Sequence, residues 1–474
     1  MAEQRRRARR GAATALATLL AAGVLVACDG QEDPTPAPTP TPRPPAETIE
    51  LTFGAYGSEA EVEAFRGVVD TYNDSLEGVE VTLEAFPDAE ALAQEVRDGD
   101  TPPDVFLLSR ADLDETIAAG RSTPLGELVD ERGVDFGDGY SRDSVLAFAA
   151  DGDQQCMPYG SSPMVVYYNT ALVDFERMAE RGLDAPVPDE ETGDIERFTF
   201  DQFRAAAQFA SRPRRGTKGV YVEPTLRGLA PFVYSGGGQL FDDNGEPTSL
   251  AFSSDDTREA LAPTLELLRD PAVTLTDEQL AEATPLEWFA RGRLAMVPGF
   301  RSATPALREQ EGLDFDVLPM PVIDDAVTTG DLTGLCISSE TGAQAAAADF
   351  LVYLVSAEAV SRVSAQGYLV PANLEVASSA DFQQPGQLPE HAQVFTDSID
   401  DLLLLPLIES YADLEQAVRA PLRQLFTTPV PDVEALTTQI DEQSRTVLDP
   451  EGLESESPSD EASEDAGDEA SETP

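Results

Sequence analysis

The chain has 474 residues, 31 of them basic and 88 acidic, for a formal charge of −57. Residues 451–474 hold ten acids and no base, and without those ten the charge is still −47. Such a body disfavours nucleic acid and anionic lipid surfaces, which need clustered Lys and Arg, and its length exceeds the ~250–300 residues of one core, so two lobes are expected.

The first element is an N-terminal charged region, Arg5, Arg6, Arg7, Arg9 and Arg10, followed by an apolar run over 12–27. That run is shorter than the roughly 20 residues of a membrane-spanning helix, so it reads as a cleaved leader over 1–27. Leu25, Val26, Ala27 and Cys28 resemble the lipobox of bacterial lipoproteins, which implies a fatty acyl anchor on Cys28 after cleavage. From 28 to 47 the chain is rich in Pro and Thr, with prolines at 34, 36, 38, 40, 42, 44 and 45. It reads as an extended tether with a reach on the order of 50 Å, at about 3 Å per residue. At the other end, 451–474 reads as a disordered acidic tail. This places the body outside the cytoplasm, anchored to the cell membrane.

The body opens with alternating strand and helix signals. Residues 49–53 read as a strand and 59–73 as a helix, with Val62, Phe65, Val68, Val69 and Tyr72 on one face. A strand around Val79, Val81 and Leu83, a helix over 89–97 and a strand over 105–108 follow. This order implies right-handed crossovers and a mainly parallel sheet, with ligands beyond the carboxyl ends of its strands. A second set begins with a strand over 165–168 and continues with helices over 200–210 and 255–268. Asp243, Asn244 and Gly245 predict a tight hairpin turn. A helix over 285–292 carries Trp288, assigned to the core, and a strand over 294–297 follows; helices over 344–355, 357–365, 413–426 and 432–448 complete the body.

Six short stretches occur in an order that resembles the family 1 extracellular solute-binding proteins of bacterial ABC importers, the group of maltose-binding protein. They are GDTPPDV (99–105), Met157-Pro158 with Tyr167-Tyr168-Asn169, Gly236-Gly237-Gly238 with Asp242 and Gly245, WFARGRLAM (288–296), and GYLVPAN (367–373) after a helix. The resemblance covers about 48–448. It implies two α/β lobes joined by a hinge, a type II periplasmic-binding-protein fold: lobe 1 from 48–157 and 333–376, lobe 2 from 158–332 and 377–450. It further implies a monomer that needs no cofactor or metal, captures a small solute in the inter-lobe cleft and delivers it to ABC permeases. A sugar, polyol or oligosaccharide leads as solute, with a cationic or zwitterionic one behind. By position in the matching loops, the ligand residues are Tyr56, Ser58, Ser109, Arg110, Ser162, Glu223, Thr225, Phe300, Arg301 and Glu415. The chain crossings fall beside Cys156 and Cys336, which can form a disulfide or stay as buried thiols. Gly292, as a left-handed cap, and Tyr168-Asn169 take structural roles.

The scarcity of tryptophan departs from the sugar-binding pattern, since Trp288 is the only one. Enzyme readings lack their motifs. His391 is the only histidine, so no paired-histidine zinc site exists, and no G-x-S-x-G elbow occurs. Lys218, the only lysine, lacks a phosphate-cradling pattern. A carboxylate-pair glycosidase has no motif by which to exclude it, and a surface lipoprotein presenting ligand to a sensor or adhesion partner would share these features.

Overall fold

The computed structural model describes residues 48–134, 139–150, 152–189, 193–408 and 411–456. The leader, Cys28, the tether and most of the acidic tail lie outside the described residues. The first half-sheet and its helices are β1 (Ile49–Tyr56), α1 (Glu59–Ser75), β2 (Val79–Phe86), α2 (Ala89–Asp98) and β3 (Val105–Ser109). The chain then enters the long β4 (Met157–Asn169). After it come α3 (Phe200–Ala210), β5 (Lys218–Val220), α4 (Leu226–Ser235), α5 (Asp255–Leu268), α6 (Pro285–Ala290), β6 (Leu294–Phe300), α7 (Thr304–Arg308) and β7 (Phe315–Leu318). Next are β8 (Gly330–Ile337), α8 (Gln344–Leu354), α9 (Ala357–Ser364) and β9 (Val370–Pro371). The last helices are α10 (Ala380–Gln383), α11 (Gln393–Asp397), α12 (Tyr411–Thr427), α13 (Val433–Leu448) and α14 (Pro450–Glu456).

One sheet runs β2-β1-β3-β8-β4-β6-β5, with β7 and β9 also on β4. Strand β1 pairs parallel with β2 and β3, and β5 pairs parallel with β6, as the alternating order requires. The joints are antiparallel and rest on β4. Its first half pairs with β8, from Met157↔Leu335 to Pro163↔Gly330; its second half pairs with β6, from Met164↔Phe300 to Tyr168↔Met296. All 13 residues of β4 are buried. This is why periodicity showed only 165–168: a strand covered on both faces has no polar alternation to mark its length.

Because side chains alternate across a strand, β4 serves three apolar clusters. Met157 and Tyr159 enter the first, with Phe53, Phe65 and Phe350. Met164, Val166 and Tyr168 enter the second, with Phe203, Phe232 and Leu422; Val165 and Tyr167 enter the third, with Phe289, Phe315 and Phe395. Strand β4 pairs with β8 and β9 through its first half and with β6 and β7 through its second.

Local chemistry explains the helix boundaries. Ser58 and Glu61 form a capping box that starts α1, and Thr199 with Gln202 does the same for α3. Gly292 has φ 65°, the left-handed turn that glycine fills cheaply before β6. Asn169 caps the next turn by accepting the Ala171 N–H at 3.0 Å, and Tyr168 packs on Phe175. Trp288 is half-buried against the third cluster, its indole N–H donating to the Gln279 carbonyl at 2.9 Å.

Two readings are corrected. The Asp243 turn is not flanked by strands. Asp243 Oδ1 accepts the N–H groups of Gly245 and Glu246 at 2.6 and 3.0 Å, and one antiparallel bridge, Phe241–Leu250, closes the loop. Side-chain acceptors there replace a strand ladder. The acidic tail also begins as helix α14, where Asp449 Oδ1 accepts the Gly452 N–H at 3.0 Å.

Candidate functional site

Polar and aromatic groups converge where β4 and β8 pair. Asp331 stands opposite Ser162 and Leu332 opposite Ser161, and the hydroxyls of Ser161 and Ser162 are buried with no protein partner. Beside them the Tyr56 hydroxyl lies 3.3 Å from Thr333 Oγ1. Burial pushes the Tyr56 phenol up, so it stays a neutral hydrogen-bonding group. Arg110, just past the end of β3, donates from Nη1 to the Leu405 carbonyl at 3.0 Å. Its Nε has no protein partner, and burial lowers its pKa.

The facing wall is built by the entry to α4. Thr225 caps that helix by accepting the Gly228 N–H at 3.1 Å. Arg227, two residues on, forms an ion pair with Asp331 of β8 and stacks over the Phe300 ring at 4.0 Å. Glu415 Oε1 accepts the Leu226 N–H at 2.9 Å and lies 3.5 Å from the Tyr411 hydroxyl. Burial raises the Glu415 pKa, and the donated backbone N–H groups of Leu226 and Arg227 oppose that rise.

Two cavities meet here. One of about 190 Å³ lies between Ser109, Arg110, Arg227, Asp331 and Tyr411, with 403–408 along one side. That segment is pinned through the Leu403 N–H to the Thr328 carbonyl at 2.8 Å. The other, about 530 Å³, is lined by Tyr221, Glu223, Thr225, Arg227 and Phe300. A larger groove of about 950 Å³ extends from 221–225 to residues of α5 and α12, among them Leu268, Arg419 and Arg423. Among the described residues no group of acids, His and Cys could hold a metal ion.

Residues 67–390 match the family model described as bacterial extracellular solute-binding protein. The chain belongs to this family. The matched model is numbered as family 8, and its structural likenesses lie in the maltose-binding group that the sequence stretches resemble. A search of curated proteins gives no match. Among solved structures, an ABC substrate-binding protein from Listeria monocytogenes in complex with cycloalternan superposes with a TM-score of 0.69 at 18% identity, covering 84% of this chain and 99% of that one. A cyclic α-maltosyl-1,6-maltose binding protein from Arthrobacter globiformis gives 0.65 at 19%, covering 85% and 99%. The Thermus thermophilus maltotriose binding protein bound with maltotriose gives 0.62 at 15%, covering 85% and 100%. The fold is therefore the mixed α/β periplasmic-binding-protein fold, and the solute-binding protein is a non-catalytic transporter component. Among the described residues no helix is long and apolar enough to cross a membrane.

The ten expected ligand residues separate in this frame. Ser109, Arg110, Ser162, Glu223, Thr225 and Phe300 lie on the crossing strands or line the two cavities, and Tyr56, at the end of β1, reaches Thr333 of β8 with its hydroxyl. Ser58 is occupied by its capping box. Glu415 is committed to the start of α4. Arg301 is fully buried behind Phe300, its guanidinium 4.7 Å from the Phe395 ring centroid, and faces neither cavity. Strand β6 ends at Phe300 and the chain turns into a short 3-10 helix, which carries consecutive residues to opposite sides of the wall. Arg227, Asp331, Tyr411 and 403–408 were not read as site residues. The apolar run 402–405 was the one visible signal, and it carries neither helical nor strand periodicity. The cysteines beside the crossings are joined as a disulfide, Cα–Cα 4.4 Å.

Proposed function

We propose that this solute-binding protein captures a sugar or oligosaccharide between two lobes, 48–157 with 333–376 and 158–332 with 377–450, and hands it to ABC permeases from a lipid anchor on Cys28. The carrying observation is the cavity beside the crossing strands, where the Phe300 ring, the Arg227 guanidinium and the exposed Glu223 line one wall. An aromatic face suits the apolar side of a pyranose, and planar charged groups suit paired hydroxyls. Arg110, Ser109 and the free hydroxyl of Ser162 supply polar groups from the other side. The two halves of the sheet share β4, which pairs first with β8 and then with β6; this favours rotation about these strands, and closure would be stabilised by the contacts a solute makes to the second wall. The oligosaccharides named with the structural likenesses agree with this class.

The test is a thermal-shift screen of the purified chain against maltooligosaccharides, cyclic glucans, polyols and amino acids, followed by calorimetry. A ligand at 100 times its Kd adds about 2.7 kcal/mol of stability. An oligosaccharide hit whose affinity falls at least about tenfold in Phe300→Ala supports the reading. Binding confined to amino acids, or an oligosaccharide affinity indifferent to Phe300, overturns it. For the anchor, Cys28→Ser should release the protein from membranes, and retention there would exclude lipidation at Cys28.

A further inference from the structure

Behind the wall that carries Phe300, two positive side chains lie together without a negative partner. Arg301 is the largest fully buried side chain among the described residues, at 0% exposure, and its Nε, Nη1 and Nη2 all lack a protein acceptor. Arg308, at the end of α7, donates from Nε to the Leu388 carbonyl and from Nη1 to Gln384 Oε1, but its buried Nη2 is also unpartnered. A point one Cβ bond from Gly367 is 3.2 Å from Arg308 Nη1 and 3.8 Å from Arg301 Nη2, so both guanidiniums border the same spot beside a residue with no side chain. Both guanidiniums therefore border one small region, Arg301 through its unpartnered Nη2 and Arg308 through the Nη1 that also donates to Gln384.

Among the described residues neither arginine forms an ion pair with an acid, and Arg308 is a like-charged neighbour of Arg301. This occurs in a chain with 88 acids to choose from. Arginine does not shed its proton, so neutralisation is not an escape. The nearby Tyr167 phenol supplies no charge. Burial holds it neutral, and its hydroxyl donates to the Phe300 carbonyl at 2.8 Å. The rings of Phe395 and Phe382, 4.7 and 5.0 Å from the Arg301 guanidinium carbon, offer their faces. Ring faces offset only part of the cost of a desolvated cation and accept no conventional hydrogen bond. Water would satisfy the donors but not the charge.

We propose that a small monovalent anion of chloride size binds between Arg301 and Arg308 beside Gly367. Arg301 is fully buried and Arg308 half-buried, an enclosure that suits a small ion better than an organic acid. The ion braces the turn after Phe300 against Gly367 and α10, joining the wall of the cleft to the returning chain. It shares no residue with the two cavities of the proposed solute site, so the two readings stand or fall separately.

The test is thermal unfolding of the purified chain as chloride or bromide replaces gluconate at constant ionic strength, paired with bromide anomalous scattering from crystals. The expected result is a saturable rise in Tm of roughly 2 °C, absent in Arg301→Met, with an anomalous peak between the two guanidiniums. Equal Tm in halide and gluconate, or water in place of bromide, overturns the proposal. Should Arg301→Met not fold, the bromide map of the unaltered chain decides alone.

Discussion

Arg227 is fixed from two directions, by the Phe300 ring below and by Asp331 across the cavity. A long side chain held this way pays little entropy when a solute arrives, which suits it to a recognition wall. At the same scale, one glycine shows how tightly the second half is built. A Cβ on Gly219 of β5 would stand 2.0 Å from the Ala207 carbonyl oxygen of α3, a backbone atom that has no rotamer to escape into. Gly219→Ala must therefore push α3 off the sheet, and the expected loss is about 1–3 kcal/mol, as for overpacked cores. Urea unfolding checks it. A midpoint unchanged from the parent would mean that α3 shifts freely.

At the scale of elements, the disulfide sits where the chain enters β4 and pairs with β8, and both cysteines are fully buried in the first cluster. It closes a loop spanning 180 positions, so its constraint on the unfolded chain is large. Replacing both cysteines by serine is expected to cost about 2–5 kcal/mol in urea unfolding while leaving solute affinity within a few-fold, because neither cysteine lines the two cavities of the proposed site. A large affinity loss at unchanged stability would instead make the bond part of the solute site. The helices of this fold were largely legible from sequence. Those over 200–210 and 255–268 match residue for residue, because one buried face and a Thr or Ser cap mark each. Helix α4 escaped because eight of its ten residues are buried, which erases amphipathic contrast, and because Pro231 sits inside it. The site was legible only as loop positions. Which of Phe300 and Arg301 faces the cavity depends on the turn after β6, and adjacent residues carry no sign of it.

For the molecule as a whole, charge decides the response to acid. The carboxyls of Glu61, Glu84, Asp112, Asp401, Glu415 and Asp441 are raised, each first of all by desolvation, while Asp242, Asp243 and Glu287 are lowered. A raised acid binds its proton more tightly in the folded than in the unfolded state. Stability therefore falls as pH rises through this window, and the penalty is fully present at neutral pH. Acidification returns it between the raised folded values and the ordinary carboxylate range near 4. The three lowered acids act oppositely, and only once pH falls into and below that range. The net charge of −57 adds self-repulsion with the same sign as the raised group. The Tm is thus expected to rise as pH falls from 7 to about 5 and to decline again below about 4. Glu415→Gln should flatten part of that rise, since its amide carbonyl can still accept the Leu226 N–H while carrying no charge. Calorimetric scans of both proteins across this range measure it. A Tm that falls steadily from pH 7 would mean that these carboxyls are solvated well enough to ionise without cost.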